Sequence, residues 1–234
     1  MKLLKKLAVI LFPLILISVF SNDIPAQKRR IVSVERYVLP FDGAKQDASF
    51  LVFRNKLIAA VKRRDKKYLF GIIDPSILND FGGSGGSEEF KAIWKIADPK
   101  TTFWDEFLLV LTNGGNFHGG KNAFCAPYVY TSFPDDLNSF DYETIFGKNV
   151  ALRARPTSKA ETIANLSYNI VKPDYDNSVK IKNTENTYSW VKVTTLGGKT
   201  GFVKENFVRS AIDYRVCFDK SKGKWKMTAF IAGD

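Results

Sequence analysis

Apolar positions along the first half of the chain recur mostly at helical spacing. Phe50, Phe53, Leu57, Ile58 and Val61 predict a helix capped by Asp47 or Ser49 and ending near Arg64. Asp65 then caps a second, shorter helix carrying Tyr68, Leu69, Ile72 and Ile73, and Pro75 marks a break. After the flexible loop 82–86, Ser87 opens a helix through Phe90, Ile93, Trp94 and Ile96, which Pro99 interrupts. Thr101 or Thr102 caps a further helix through Trp104, Phe107, Leu108 and Leu111, stopped by Asn113-Gly114-Gly115. Residues 31–39 and 123–132 read as strands, and residues 134–143 as an acidic linker.

Beyond residue 147 the period changes. Val150-Ala151-Leu152, Ile170-Val171, Trp190-Val191-Lys192-Val193 and Gly201-Phe202-Val203 are short β-branched and aromatic runs between turns, the pattern of a small barrel. From Tyr214 to Ile231 the pattern is a hairpin. Tyr214, Val216 and Phe218 alternate, Lys220-Ser221-Lys222-Gly223 turns, and Trp225, Met227 and Ala229 return. A lone hairpin is marginal in water, so this one is expected to dock on the first domain.

Residues 1–26 read as a secretory signal peptide, cleaved after Ser21 or Ala26. Lys2, Lys5 and Lys6 precede a 14-residue apolar run, Leu7 to Phe20, that is short for a bilayer span. An uncleaved anchor is the alternative. The expected location is therefore exported, periplasmic or extracellular, with no stable membrane span after cleavage. In that oxidising setting Cys125 and Cys217 are expected to form a disulfide, with free buried thiols as the alternative. Such a bond would staple the end hairpin to the first domain and make the intervening barrel an insertion.

Net charge is +11, unevenly spread: residues 27–70 carry +8, residues 71–150 carry −6 and residues 151–234 carry +7. A basic exported protein suits anionic envelope polymers, whereas solvated faces explain the same charge without a partner. Lys28-Arg29-Arg30 and Arg63-Arg64-Asp65-Lys66-Lys67 would be the best nucleic-acid fragments, but export argues against that partner. One histidine and two cysteines exclude zinc sites built from four cysteines or from two cysteines and two histidines.

Several motifs tempt. Gly115-Asn116-Phe117-His118-Gly119-Gly120-Lys121 fits a P-loop spacing, but Asn122 stands where Ser or Thr must hold Mg2+. His118 and Cys125 suggest a papain-like peptidase, although Cys125 lies in an expected strand rather than at a helix start. Asp105-Glu106, Asp135-Asp136 and Asp141 with Glu143 are carboxylate pairs of the kind glycoside hydrolysis uses, and equally of the kind surfaces carry. No metal or cofactor is expected.

The strand signature Val150-Ala151-Leu152-Arg153-Ala154-Arg155-Pro156-Thr157 is followed by Ile163 to Leu166, Trp190-Val191-Lys192-Val193 and Gly198-Lys199-Thr200-Gly201-Phe202-Val203. On these motifs residues 147–210 resemble the bacterial Src-homology-3-like (SH3b) domain. Ser167-Tyr168-Asn169 replaces the glycine turn frequent in the family, and Phe202 stands where Trp is frequent. Gly198 and Gly201 are expected to supply positive-φ turns. The resemblance implies a binding module for cell-wall peptides or proteins. Trp190 is a groove or core residue, and Tyr188, Tyr168 and Tyr175 are groove candidates. A fainter resemblance links Phe53, Leu57, Arg64-Asp65 and the end hairpin to nuclear-transport-factor-like cone folds, although only two or three of the needed strands can be found.

The expectation is thus an α+β protein with four parts. They are a signal peptide (1–26), a mainly helical domain with a few strands (27–146), an SH3b-like barrel (147–210), and a closing hairpin (211–234) belonging to the first domain. The expected function is non-catalytic recognition of peptidoglycan peptides or an envelope protein. The rivals are a cell-wall hydrolase with its site in the first domain, and a structural or assembly protein that binds no polymer.

Overall fold

The computed structural model describes residues 34–82, 85–184 and 187–233. The expected signal peptide and the Lys28-Arg29-Arg30 fragment lie outside the described residues. The described chain is mixed α+β, with five α-helices and twelve strands in two sheets.

Helix α1 (Ala48–Lys62) starts where Asp47 Oδ1 accepts the Phe50 N–H at 2.8 Å, and α2 (Lys66–Ile72) where Asp65 Oδ1 accepts the Tyr68 N–H at 3.0 Å. Both caps satisfy amides the helices leave unpaired. Pro75 does not break the chain as expected. It sits inside strand β1 (Ile73–Leu78), an edge strand pairing in parallel, with an irregular register, with the later strand Lys224–Ile231, where a missing N–H is tolerated. Helix α3 (Ser87–Trp94) opens at Ser87, as its sequence indicates, and takes Gly86, at φ 101°, as its N-cap. Helix α4 (Phe103–Thr112) stops at Asn113, as its sequence indicates.

The expected strand 123–132 is cut short. Strand β3 (Ala123–Ala126) ends at Pro127, which has no N–H for the ladder, and α5 (Tyr128–Ser132) follows. Residues 34–39 also fail to make a strand. Tyr37 forms one bridge to Asn169, and Ile170 N–H donates to Arg36 O at 2.8 Å. The strand beside them, Ile170–Lys180, is already flanked by the strands Glu143–Ile145 and Tyr188–Thr195.

The first sheet has the order β1-β12-β11-β3-β2, with β2 at Asn116–Phe117 and the hairpin strands at β11 (Arg215–Ser221) and β12 (Lys224–Ile231). The hairpin pairs with β3 through β11, so the last segment of the chain completes a sheet begun before residue 127. Five strands stand where the sequence offered two or three, because β1 and β2 are too irregular or too short to be read. Helix residues Phe50, Leu57, Phe90, Phe103 and Phe107 pack with Phe124, Phe218 and Phe230 of this sheet in one core. The Phe50 ring lies 4.1 Å from Phe124 and 4.8 Å from Trp225, centroid to centroid.

Between β3 and β11 the chain forms the second sheet, curled and antiparallel, in the order β10-β4-β7-β8-β9-β5-β6. Its strands are β4 (Glu143–Ile145), β5 (Val150–Arg153), β6 (Thr162–Leu166), β7 (Ile170–Lys180), β8 (Tyr188–Thr195), β9 (Thr200–Lys204) and β10 (Val208–Ser210). It therefore takes in β4, ahead of residue 147. Leu152, Val171, Val191, Val193 and Val203 fill its concave side. Gly198 has φ 88°, as its turn requires. Gly201 serves differently from the expectation. Its φ is not positive, and a Cβ there would lie 2.7 Å from Arg153 O, so its role is the close approach of β9 to β5.

Candidate ligand-binding site

Two irregularities in the second sheet bring Tyr175 and Tyr188 together. In β7, the register jumps between Asp174 and Val179 while β8 advances only from Lys192 to Trp190. The extra residues form a turn in which Asp174 Oδ1 accepts the Asn177 N–H at 3.2 Å. Lys192 Nζ pairs with Asp174 Oδ2 at 3.2 Å, and Ser178 Oγ accepts the Lys192 N–H at 2.9 Å, which fixes the turn to β8. In β8, Trp190 faces Val179 and Tyr188 faces Lys180, so Ser189 is a bulge. A bulge re-aims side chains, and Tyr188 packs against the concave core despite its parity with the outward Trp190. The rings of Tyr175 and Tyr188 meet at 4.9 Å, tilted by 40°.

These tyrosines line a pocket of about 370 Å3 with Glu143, Glu205, Val208, Ser210 and Asp213. Three carboxylates and two phenols converge, and among the described residues no basic side chain lines the pocket. Tyr175 Oη donates to Glu143 Oε1 at 2.7 Å. Burial holds the Glu143 carboxyl up at about 7, opposed by that hydrogen bond and reinforced by the charges of Asp213 and Glu205. Burial and then the Glu143 charge push the Tyr175 phenol upward. Glu205 and Asp213 keep exposed surface, and partial desolvation raises both. Arg209 stands behind the pocket, bonded to Glu106 Oε1 at 2.9 Å and Tyr214 O at 3.0 Å. Lys180 Nζ lies 5.8 Å from the Tyr188 ring centroid.

The other aromatic candidates lie elsewhere. Trp190 is half-buried in a groove of about 210 Å3 with Arg153, Lys204 and Phe207. Tyr168 borders a separate cleft with Tyr128 and Phe146, and holds a left-handed φ of 61°. The four residues thus fall into three places, and only Tyr175 and Tyr188 share one. Of the carboxylates, Glu143 was visible in sequence only as the partner of Asp141. Glu205 and Asp213 had no signal, since Glu205 reaches the pocket from the 3-10 helix Glu205–Phe207 before β10 and Asp213 from the bend after it.

The remaining chemical candidates are separated or engaged. Asp136 pairs with Arg36 in two hydrogen bonds of 2.8 and 2.7 Å, Glu106 with Arg209, and Asp141 with Asn138 at 2.9 Å. Lys121 of the P-loop-like run donates to Gln46 O at 3.1 Å, and the run holds β2 and a turn rather than a helix start. Cys125 and Cys217 face each other across β3 and β11 at bonding distance, and His118 Nε2 lies 3.2 Å from Cys125 Sγ. These three could ligate a metal only as free thiolates and imidazole, with ligand atoms within 4.8 Å of one another. Among the described residues no helix is long and apolar enough to cross a membrane. No protein-family model matches the chain, and no curated protein or solved structure matches it.

Proposed function

We propose that this chain is an exported, non-catalytic envelope protein whose second sheet is an SH3b-like barrel that recognises the free amino group of a wall peptide or protein. The observation that carries the reading is the Tyr175–Tyr188 pair set among Glu143, Glu205 and Asp213. Aromatic faces and carboxylates together favour a protonated amine over an anion. The chain is basic overall, yet this pocket is acidic, so anionic envelope polymers would have to bind elsewhere. A cation entering beside Glu143 stabilises its carboxylate, which couples binding to loss of a proton.

The test is sedimentation of the chain lacking residues 1–26 with insoluble peptidoglycan sacculi, at low and moderate salt. Tyr188→Ala and Glu205→Gln variants of matched melting temperature run beside it. Retention that survives moderate salt, weakens in both variants and is competed by a lysine-containing peptide supports the proposal. Retention lost equally in all three proteins as salt rises means surface charge does the binding. No retention favours the structural reading, for which Lys180 above Tyr188 and the Tyr175–Glu143 hydrogen bond are internal contacts only.

A further inference from the structure

The cysteine pair lies on the face of the first sheet opposite the aromatic core. Cys217 on β11 is in register with Cys125 on β3, and Asn116 on β2 is in register with Cys125 in turn. His118 follows β2, and its N–H donates to Ala123 O at 3.1 Å, which brings the imidazole back over Cys125. Three neighbouring strands therefore place His118 and both sulfurs together.

The two cysteines differ in access. Cys125 is 1% exposed. Cys217 is partly exposed and lines a cleft of about 630 Å3 with His118, Phe81, Tyr130, Arg215 and Asp219. Arg215 and Asp219 flank Cys217 two residues away on β11, on the same side of the strand. The buried Arg215 guanidinium lies 5.2 Å from the Phe81 ring centroid and 5.0 Å from that of Tyr130. It lines the same cleft as Cys217, and among the described residues Asp219 and Asp135 are the negative groups that line it.

A disulfide sulfur has no proton. The 3.2 Å contact can then be a hydrogen bond only if His118 Nε2 carries the hydrogen and Cys125 Sγ accepts it. A donor already aimed at one sulfur stabilises negative charge on that sulfur if the bond is cleaved, and a better-stabilised thiolate leaves faster.

We infer that the Cys125–Cys217 bond is a site of directed thiol–disulfide exchange: an external thiolate attacks Cys217 Sγ from the cleft, and Cys125 leaves as a thiolate held by His118. In the first step the thiolate sulfur bonds to Cys217 Sγ, the Cys125–Cys217 bond breaks, and its electron pair goes to Cys125. The mixed disulfide on Cys217 then has two fates. Cys125 thiolate re-attacks Cys217 Sγ and restores the bond, expelling the external thiol. Otherwise a second external thiolate attacks the external sulfur, leaving Cys217 as a thiolate and the reductant as its own disulfide. The protein thiolates take protons from water. His118 touches only the leaving sulfur and acts as a positioning residue for its charge. This inference is independent of the amine-binding pocket, which belongs to the other sheet.

The experiment treats the folded chain with reduced glutathione, quenches by alkylation and locates the adduct by mass spectrometry. The expected adduct is glutathione on Cys217 with the alkyl group on Cys125. His118→Ala is expected to slow first-step cleavage about three- to tenfold. His118→Gln, whose amide N–H can donate, recovers part of that rate, which loss of packing alone would not explain. Rapid resolution by Cys125 could deplete the adduct, so single-cysteine variants provide a second readout. Cys217, left by Cys125→Ser, should react with oxidised glutathione faster than Cys125, left by Cys217→Ser. Adducts on Cys125 or equally on both cysteines, equal single-cysteine rates, an unchanged His118→Ala rate, or a native bond inert to glutathione would each overturn the inference.

Discussion

Replacing Glu143 with Gln tests the electrostatic account of the pocket directly. The carboxyl is held at about 7 against an ordinary 4.5, chiefly by burial. The folded chain therefore keeps a proton that the unfolded chain releases between those two values. Stability from this group is fully present below pH 4.5, falls as pH rises through the window, and is lost above about 7. The gap corresponds to about 3 kcal/mol between the two protonation states. Gln keeps an acceptor for the Tyr175 hydroxyl, now 2.7 Å from Glu143 Oε1, and cannot ionise. Glu205 and Asp213 act in the same direction but stay in both proteins, so the difference between the two isolates Glu143. Glu143→Gln should match the parent near pH 4.5 and exceed it at pH 8 by on the order of 2–3 kcal/mol. In a unit of this size that is roughly 5–10 °C in melting temperature. Urea denaturation at several pH values, with thermal melts in parallel, reads the effect. Identical pH dependence in the two proteins would refute burial of Glu143 as the cause, and with it the coupling of amine binding to proton loss.

Two further outcomes follow from packing and connectivity. Gly201→Ala puts a Cβ about 2.7 Å from Arg153 O and 2.9 Å from Leu152 Cγ, and should cost about 1–3 kcal/mol in urea denaturation. A loss below about 0.5 kcal/mol would show that β5 and β9 separate easily. The double change Cys125→Ala, Cys217→Ala opens a cross-link spanning 92 positions and should cost about 2–5 kcal/mol in the same assay. Equal stability of the double variant and the oxidised parent would mean the hairpin holds to β3 without the bond.

Local chemistry alone determined much of the helical half. Asp47 and Asp65 are short acceptors placed just before periodic apolar runs, and each caps the helix it announces. Asn113-Gly114-Gly115 stops α4 because its residues take backbone conformations a helix cannot continue, with Gly114 at φ 66° and Gly115 at φ 141°. The β-branched runs after residue 147 became strands because alternation of side chains is a property of the strand itself. Hairpin β11–β12 was readable for the same reason.

Tertiary structure decided everything that depends on partners distant in sequence. Ile73-Asp74-Pro75 became strand because β12, far along the chain, offers an edge. Tyr128 to Ser132, read with the residues before it as one apolar and aromatic run, became helix once Pro127 ended the ladder. In the candidate site, the aromatic residues could be picked as a class, but their grouping could not. A bulge at Ser189 and a turn at 175–178 bring Tyr188 and Tyr175 together and leave Trp190 outside. Glu205 and Asp213 carry no sequence signal, and only the fold around β10 places them beside Glu143. Composition and periodicity settle which residues prefer burial and in what local shape. Which charges share a desolvated pocket is set by long-range strand register, because a single-residue slip moves a side chain to the opposite face of the sheet.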